Sequence, residues 1–200
     1  VRRLDEPDAT ALLSPSQGIH IVLDKAFLPR ETAILVPHTA DGRVLFAVPW
    51  HDRVIVGTTD TPVPEAVLEP RPLPEEIEFL LTHAARYLTR DPSPRDVLSM
   101  FAGLRPLVGQ AGEKCTAALS RDHALFVSRS GLITITGGKW TTYRRMAQDT
   151  VDQAALIGHL PEKPCITATL PIHGSGIPTG VRRELAVYGA DADPLADLLG

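Results

Sequence analysis

Apolar and polar residues alternate along short runs in the first part of the chain, and a period of two is typical of half-buried strands. Four such runs precede residue 60, at 19–23, 33–36, 44–48 and 54–57. Turn-forming residues separate them, among them Asp41-Gly42 and His51-Asp52-Arg53. Because the connections are short, we expect an antiparallel meander rather than strands joined by crossover helices.

The rest of the chain mixes helical and strand patterns. A proline-rich connector over 62–74 leads into a helix predicted over 75–88, which has Pro74 at its first turn. A strand is predicted at 97–102, a hairpin from 124–127 and 132–136, and a long helix over 140–157. A short strand at 165–170 and two weak helices should follow. The predicted class is α+β, with a mixed, mostly antiparallel sheet over 18–60 and the 75–88 helix on one of its faces.

Composition and charge exclude several classes of protein. With 44% hydrophobic residues the chain can form a core, and a net charge of −4 with scattered basic residues argues against a nucleic-acid partner. No apolar run reaches the roughly 18–20 residues of a membrane span. Cys115, Cys165 and the histidines lack metal-site spacing, which favours reduced thiols in the cytoplasm and no metal. Since the chain starts at Val1 and ends directly after a helical pattern, we expect a piece of a longer protein.

The most informative segment joins a strand to a helix through glycines. Gly137-Gly138-Lys139 follow an Ile/Thr alternation, and a helical pattern begins at Trp140. Such a turn can present N–H groups and the helix dipole to a phosphate, a carboxylate or an electron-rich cofactor edge. An ordinary strand-to-helix turn explains the same residues. A nucleotide-hydrolase phosphate loop is excluded by Ile133 and Trp140, and Gly-x-Gly-x-x-Gly does not occur in the chain.

Three basic residues are candidates for binding an anion. Arg105, in Gly-Leu-Arg-Pro-Leu, lies at a strand end before a proline, so its guanidinium can form a two-point clamp. Lys139 lies at a helix start, where a cation is unfavourable unless an anion is present. A surface ion pair is the alternative for both Arg105 and Arg121, and it is the stronger one for Arg121 because Asp122 is its neighbour.

His20 is the candidate base. It lies between Ile19 and Ile21, so its side chain should point away from the face that these residues cover. There it is able to accept a proton from an alcohol, although a hydrogen-bonded sheet histidine without a chemical role fits the same pattern. The segment 57–60, Gly-Thr-Thr-Asp, is predicted to be mainly a structural turn.

Several motifs occur in an order that resembles one protein family. They are His-Ile-Val-Leu at 20–23, the Val-Pro-Trp end of 45–50, Val-Ile-Val-Gly-Thr-Thr-Asp at 54–60, and the segments 103–107, 120–122 and 131–144. In this combination the chain resembles the flavoprotein glycerol-3-phosphate dehydrogenases, within the D-amino-acid-oxidase-like flavoproteins. The resemblance covers residues 15–157 and, more weakly, the tail.

This resemblance implies an activity and a domain order. The reaction would be the oxidation of sn-glycerol 3-phosphate to dihydroxyacetone phosphate, with hydride transfer to FAD and electrons passed to a membrane quinone. Residues 1–97 would be the later part of a substrate domain, 98–157 the closing segment of the FAD domain, and 158–200 the start of a helical C-terminal domain. Because no Gly-x-Gly-x-x-Gly segment is present, we expect the isolated chain to bind FAD poorly and not to catalyse alone.

The resemblance and the residues together give the expected site. The catalytic residues would be His20 and Arg105, and the substrate phosphate would be bound by Arg105, Arg121 and Lys139. FAD would be bound by Gly137, Gly138, Lys139, Trp140, Thr141 and Thr142. The full-length protein would lie at the cytoplasmic face of the membrane as a peripheral protein, with a homodimer as one possible assembly.

Other functions remain open at this stage. An oxygen-using glycerol-3-phosphate oxidase or an amine-oxidising relative would keep the fold, although three cations favour a phosphate over a carboxylate. A non-catalytic interaction module would need no cofactor. The sequence does not decide the electron acceptor, the oligomeric state or the identity of the catalytic base.

Overall fold

The longest strand, β1 (Leu13–Asp24), lies inside the main sheet and pairs along both of its edges. The computed structural model describes residues 1–39, 42–109, 122–176 and 183–199. Its elements are α1 (Arg2–Asp5), β1, β2 (Ile34–Val36), β3 (Leu45–Trp50), β4 (Arg53–Gly57), β5 (Thr61–Pro62), α2 (Pro74–Ala84), β6 (Ser99–Val108), β7 (His123–Val127), β8 (Ile133–Gly137), α3 (Tyr143–Ile157) and α4 (Ala192–Leu199).

Every strand pair in the described part of the chain is antiparallel. Strands β2, β3, β4 and β1 are neighbours in that order, and β6 pairs with β1 from residue 13 to residue 22. On the other edge of β1, β4 pairs with residues 20–24 and β5 with residues 16 and 17. Strands β4 and β5 therefore lie in line, with residues 58–60 between them. The predicted antiparallel pairing is confirmed, and β2, β3 and β4 form a meander. The first strand of the predicted meander is placed differently, because β1 pairs with β4 and not with β2. The connection from β1 to β2, which includes the 3₁₀ turn Lys25–Phe27, is long enough to allow this order. The fold is mixed α/β.

One face of this sheet forms the hydrophobic core. The alternate residues Ile19, Ile21 and Leu23 of β1 are completely buried, as are Val54 and Val56 of β4. Their side chains share a face because successive strand residues point to opposite sides. Burying an aliphatic side chain of this size stabilises a fold by about 1.5–3 kcal/mol, so this face fixes the register of the sheet.

Helix α2 covers that face, as the sequence predicted. Leu80, Leu81 and Ala84 are buried against the core, and Pro74 stands in the first turn. The helix ends at Ala84, four residues earlier than the predicted residue 88, and turns follow it. Leu88 still packs against the core as a partly buried residue, so its apolar spacing reflected a contact rather than a continued helix.

The predicted hairpin is present as β7 paired with β8, with Leu125 opposite Ile135. Gly137 ends β8, a single 3₁₀ turn spans Trp140–Thr142, and α3 begins at Tyr143 rather than at Trp140. No residue of α3 is buried, and Val127 is partly exposed. Strand β6 also contacts β8, where Val108 at the end of β6 lies beside Gly137 at the end of β8.

The chain divides into two compact units, Val1–Met146 and Ala147–Gly200. In the second unit the prediction of a strand at 165–170 is wrong. These residues include a turn in which Thr169 N donates a hydrogen bond to Ile166 O. Pro161, Pro164 and Pro171 flank the segment, and proline disrupts strand pairing. The two weak helical patterns correspond to a 3₁₀ segment at Arg183–Asp191 and to α4. Among the described residues, no helix has the length and apolar character needed to cross a membrane.

Candidate active site

The face of the sheet opposite α2 carries the predicted chemistry. Ser16, Gly18 and His20 of β1 alternate with the core residues and therefore point to this face, called the open face because α2 does not cover it. His20 is partly exposed there, whereas Ser16 and Gly18 are buried beneath their neighbours. Their partners on β6 are Arg105, Gly103 and Phe101 in the same order. Because residues directly opposite in a ladder share a face, His20 and Arg105 lie on one surface of adjacent strands.

His20 is held against an aromatic ring. Its imidazole stacks on Phe101 with 5.0 Å between ring centroids and 12° between planes. Partial burial lowers the pKa of His20, and the nearby charge of Arg105 lowers this pKa further. The neutral imidazole, which is the form able to accept a proton, is therefore favoured at neutral pH.

Arg105 is oriented by the segment that joins β4 to β5. Its Nη2 donates to Thr58 Oγ1 at 2.8 Å, and its Nη1 lies 3.6 Å from Asp60 Oδ1 and 3.5 Å from the Gln17 carbonyl oxygen. Ser16 Oγ donates to the same Asp60 oxygen. The ion pair expected as the alternative is thus present, and it also fixes the plane of a guanidinium whose side chain remains 29% exposed. A fixed guanidinium plane suits two-point binding of an oxyanion.

Two glycines give these side chains their room. A Cβ atom on Gly18 would lie 2.5–2.7 Å from the guanidinium atoms of Arg105. A Cβ atom on Gly57 would lie 2.7 Å from His20 Cγ and Nε2. Because any larger residue would collide, the bare backbone at these two positions is what lets Arg105 and His20 lie flat on the sheet.

The turn between β8 and α3 lies in the same compact unit. Gly137 and Gly138 have φ of 75° and 72°, which favours glycine at both positions. A Cβ atom on Gly138 would lie 2.5 Å from Met146 Sδ, so a larger residue here would displace the Met146 side chain in addition to straining the backbone. Lys139 N donates to Thr142 Oγ1 at 3.0 Å. The first N–H groups of a helix have no intrahelical acceptors.

The side chains that follow this turn are open to solvent. Trp140 is 86% exposed and stacks on Tyr143 with 5.6 Å between centroids, and Lys139, Thr141 and Thr142 are exposed as well. Gly137 is tied to β6, because a Cβ atom there would lie 2.9 Å from Val108 Cγ2. Val108 is three residues beyond Arg105 on the same strand, a separation of about 10 Å at the usual rise of a strand.

The structure thus brings His20 and Arg105 together, and it links the turn at 137–139 to the end of the strand that carries Arg105. Arg121 lies outside the described residues. Sequence reasoning missed the contributions of Thr58 and Asp60, since the segment 57–60 was interpreted as mainly structural. It also missed the contribution of Phe101. The signal that could have identified Phe101 is its spacing from Arg105, because residues four apart on a strand share a face.

Comparison with known proteins shows the family. The profile of the DAO family, described as FAD dependent oxidoreductase, matches residues 1–144. The chain belongs to this family. The open face and the turn at 137–142 both lie within the residues that the profile matches.

Individual relatives of the chain carry a more specific name. The mitochondrial glycerol-3-phosphate dehydrogenase of Mesocricetus auratus is 43% identical over 96% of this chain and 27% of that protein. The mitochondrial enzyme of that name from Arabidopsis thaliana is 43% identical over 88% of this chain and 28% of that protein. A solved structure of glycerol-3-phosphate dehydrogenase from Bacillus halodurans complexed with FAD has a TM-score of 0.68 and 34% identity, covering 92% of this chain and 33% of that chain. The chain therefore spans about a quarter to a third of the length of these relatives.

The residues of the turn fit the cofactor that this oxidoreductase family uses. FAD carries a pyrophosphate and a ring edge rich in electrons, which suit a helix start and a cation. The exposed Lys139 and the exposed first turn at Trp140–Thr142 provide both features. This assignment remains a prediction, because the glycines are also explained by their positive φ and by Met146.

Proposed function

We propose that the protein containing this chain oxidises sn-glycerol 3-phosphate to dihydroxyacetone phosphate, with FAD as the hydride acceptor and a membrane quinone as the final electron acceptor. The observation that carries the proposal is that His20 and Arg105 lie on the same open face of the paired strands β1 and β6, close enough for the charge of Arg105 to lower the pKa of His20. The names of the relatives, which are glycerol-3-phosphate dehydrogenases at 41–44% identity among those compared, support glycerol 3-phosphate as the substrate. A neutral base beside an oriented guanidinium suits the oxidation of an alcohol that carries an anionic group.

His20 is the proposed base. Oxidation at C2 breaks the C2–H and O–H bonds and forms a C=O bond, so a hydride and a proton must both leave. The neutral imidazole of His20 accepts the hydroxyl proton, and the stack on Phe101 holds the ring in place to receive it. FAD, when bound, supplies the acceptor for the hydride.

Arg105 binds the oxygen atoms of the substrate. Its guanidinium offers up to five N–H donors in one plane, and Thr58 and Asp60 fix that plane. A positive charge at this point stabilises the phosphate, or the negative charge that grows on the C2 oxygen as its proton leaves. Lys139 and Arg121 would add charge for the phosphate.

The segment 137–142 would hold the cofactor. Gly137 keeps the turn close to Val108 at the end of β6 and Gly138 keeps it close to Met146, while Lys139 and the first turn at Trp140–Thr142 are exposed. Their N–H groups and positive charge would favour an electron-rich edge of the flavin. We assign residues 1–97, 98–157 and 158–200 to the substrate domain, the FAD domain and the C-terminal domain.

The position in the cell follows from the acceptor. A quinone dissolved in the bilayer requires contact with the membrane, and a phosphorylated polyol is found in aqueous compartments. We therefore place the protein at the cytoplasmic face of a membrane as a peripheral protein, with a homodimer as its proposed assembly.

Anaerobic mixing of the flavin-loaded protein with sn-glycerol 3-phosphate tests this function. We expect the visible absorbance of the flavin to bleach in a single turnover, while glycerol and glycine leave it unchanged. Adding a soluble quinone should restore the colour faster than adding air, which separates a dehydrogenase from an oxidase. Failure of sn-glycerol 3-phosphate to bleach a stoichiometric flavin would reject the proposal, and bleaching by glycine would favour an amine-oxidising relative.

A further inference from the structure

We propose that Glu76, on the covered face of the sheet, is a positioning residue that holds Arg105 in place through the backbone between them. The inference rests on the proposed function, because Arg105 is taken as the group that binds substrate oxygen atoms. Glu76 does not touch the open face, so it acts through residues 17 and 58–60 rather than on the substrate itself.

Glu76 is a buried carboxylate surrounded by donors. It is 2% exposed and lies in the first turn of α2. Its Oε1 accepts from Thr59 Oγ1 at 2.8 Å and from Thr61 Oγ1 at 2.7 Å. Its Oε2 accepts from Gln17 Nε2 at 2.7 Å and from Leu73 N at 3.0 Å. Four hydrogen bonds to one buried carboxylate form a rigid centre.

The partners of Glu76 alternate along the chain with the partners of Arg105. Thr59 and Thr61 face Glu76, whereas Thr58 and Asp60 contact the guanidinium. Gln17 serves both residues, since its side chain donates to Glu76 and its carbonyl oxygen lies 3.5 Å from Arg105 Nη1. Because successive residues point to opposite faces, anchoring the side chains on one face fixes the groups on the other.

The gap between β4 and β5 makes this anchoring necessary. Residues 58–60 lie between the two strands, opposite residues of β1 that neither strand pairs with. There Ile19 N donates to Thr59 Oγ1 at 3.0 Å, which replaces a ladder hydrogen bond. Since Thr59 Oγ1 accepts from Ile19, its own proton is directed to Glu76.

The carboxylate form of Glu76 suits this arrangement. Burial raises the pKa of Glu76, but the hydrogen bonds from Leu73, Thr61, Gln17 and Thr59 together outweigh it, and the net pKa lies below its ordinary value. A carboxylate only accepts hydrogen bonds, so all four donors keep one direction. A side-chain amide in this position would present two donors to groups that already donate.

The test is a double-mutant cycle in the flavin-loaded protein that contains this chain. Glu76→Gln should lower kcat/KM for sn-glycerol 3-phosphate about tenfold, on the scale of a lost charged hydrogen bond. It should weaken dihydroxyacetone phosphate binding to a similar extent, measured from the change in flavin absorbance. Glu75→Gln, which removes an exposed carboxylate from the same helix turn, is the matched control and should leave both values unchanged.

The Arg105→Lys background separates positioning from general stability. In the Arg105→Lys background, Glu76→Gln should change kcat/KM less than about twofold, because the guanidinium that Glu76 positions is already gone. The decrease in Tm that Glu76→Gln causes should be the same in both backgrounds. An equal loss of kcat/KM in both backgrounds, or no loss in the wild-type background, would overturn the inference. If Glu76→Gln does not fold, Thr61→Val removes a single Glu76 contact and should show the same non-additivity. Failure of the proposed function would appear instead as a wild-type flavin that sn-glycerol 3-phosphate does not bleach.

Discussion

Arg105 and His20 show how the chemistry of single residues depends on their neighbours. The guanidinium is held by Thr58, Asp60 and the Gln17 carbonyl, and the imidazole by Phe101. The bare backbone of Gly18 and Gly57 leaves room for both. These contacts orient the two groups before any substrate is present, which is the condition for binding energy to favour a transition state.

Replacing Arg105 by lysine tests its geometry while keeping its charge. Arg105→Lys loses the planar two-point contact, and we expect kcat/KM for sn-glycerol 3-phosphate to fall by the equivalent of roughly 2–4 kcal/mol. Steady-state kinetics of the flavin-loaded protein measure the effect, with Arg53→Lys, an exposed arginine of β4, as the control. A kcat/KM equal to that of the wild type would show that Arg105 only forms an ion pair with Asp60.

Because the pKa of His20 is lowered in the folded chain, the free energy of unfolding should depend on pH. In the folded chain the imidazole should titrate below the value of about 6.5 found for an exposed histidine. Since the unfolded chain then binds the proton more readily, the free energy of unfolding should decrease as pH falls from about 6.5 through the folded pKa of His20. An NMR titration of the imidazole checks this, with His20→Asn to assign the signal. A His20 that titrates at or above the ordinary value would contradict the assignment of a neutral base.

At the scale of elements, the sheet presents two different faces. Ile19, Ile21 and Val56 make one face a core under α2, and the alternate residues carry the candidate site on the other face. The alternation of β1 predicted this division from sequence, including the direction of His20, because the period of a strand is fixed by covalent geometry. The pairing of β1 with β6 could not be predicted in the same way, since Arg105 is 88 residues from Gln17 in the chain.

A substitution at Gly18 of β1 tests whether the position of the Arg105 guanidinium on β6 matters for activity. A methyl group from Gly18→Ala would press on the end of a flexible arginine, so we expect kcat/KM to fall about tenfold to a hundredfold with little change in Tm. Gly103, directly opposite in the ladder, is the matched control, because a Cβ atom there meets no described atom within 4 Å. Gly103→Ala gives the cost of an added methyl without displacing Arg105. An unchanged kcat/KM in Gly18→Ala would mean that the position of the guanidinium does not matter.

The turn between β8 and α3 makes a separate prediction. Gly138→Ala should reduce both stability and flavin content, because its Cβ atom would meet Met146 Sδ. Adding Met146→Ala removes that collision and should restore part of the stability but not the flavin, if the turn faces the cofactor. Lys139→Ala should keep the fold, raise KM and lower the reduction potential of the flavin, since it removes a positive charge. Full flavin content in the double variant would show that the turn is only a connector.

The whole molecule shows where sequence patterns were sufficient. Alternating runs predicted β1, β3 and β4, because the core residues of these strands have no other place to be buried. The hairpin was predicted by the same alternation together with the turn at Ser130-Gly131, although its residues are only partly buried. The pattern failed at 165–170, where prolines and the absence of a described pairing partner outweigh β propensity. The motif order pointed to the family, which the profile match then showed. The buried Glu76 network had no sequence signal, since its members are separated by up to 59 residues.

A crystal structure of the flavin-loaded protein with dihydroxyacetone phosphate tests the central claim most directly. The account predicts that oxygen atoms of the ligand lie about 3 Å from the guanidinium of Arg105 and from a ring nitrogen of His20. It also predicts that the flavin lies beside the turn at 137–142. A ligand bound elsewhere, with the open face of β1 and β6 facing only solvent, would contradict the account.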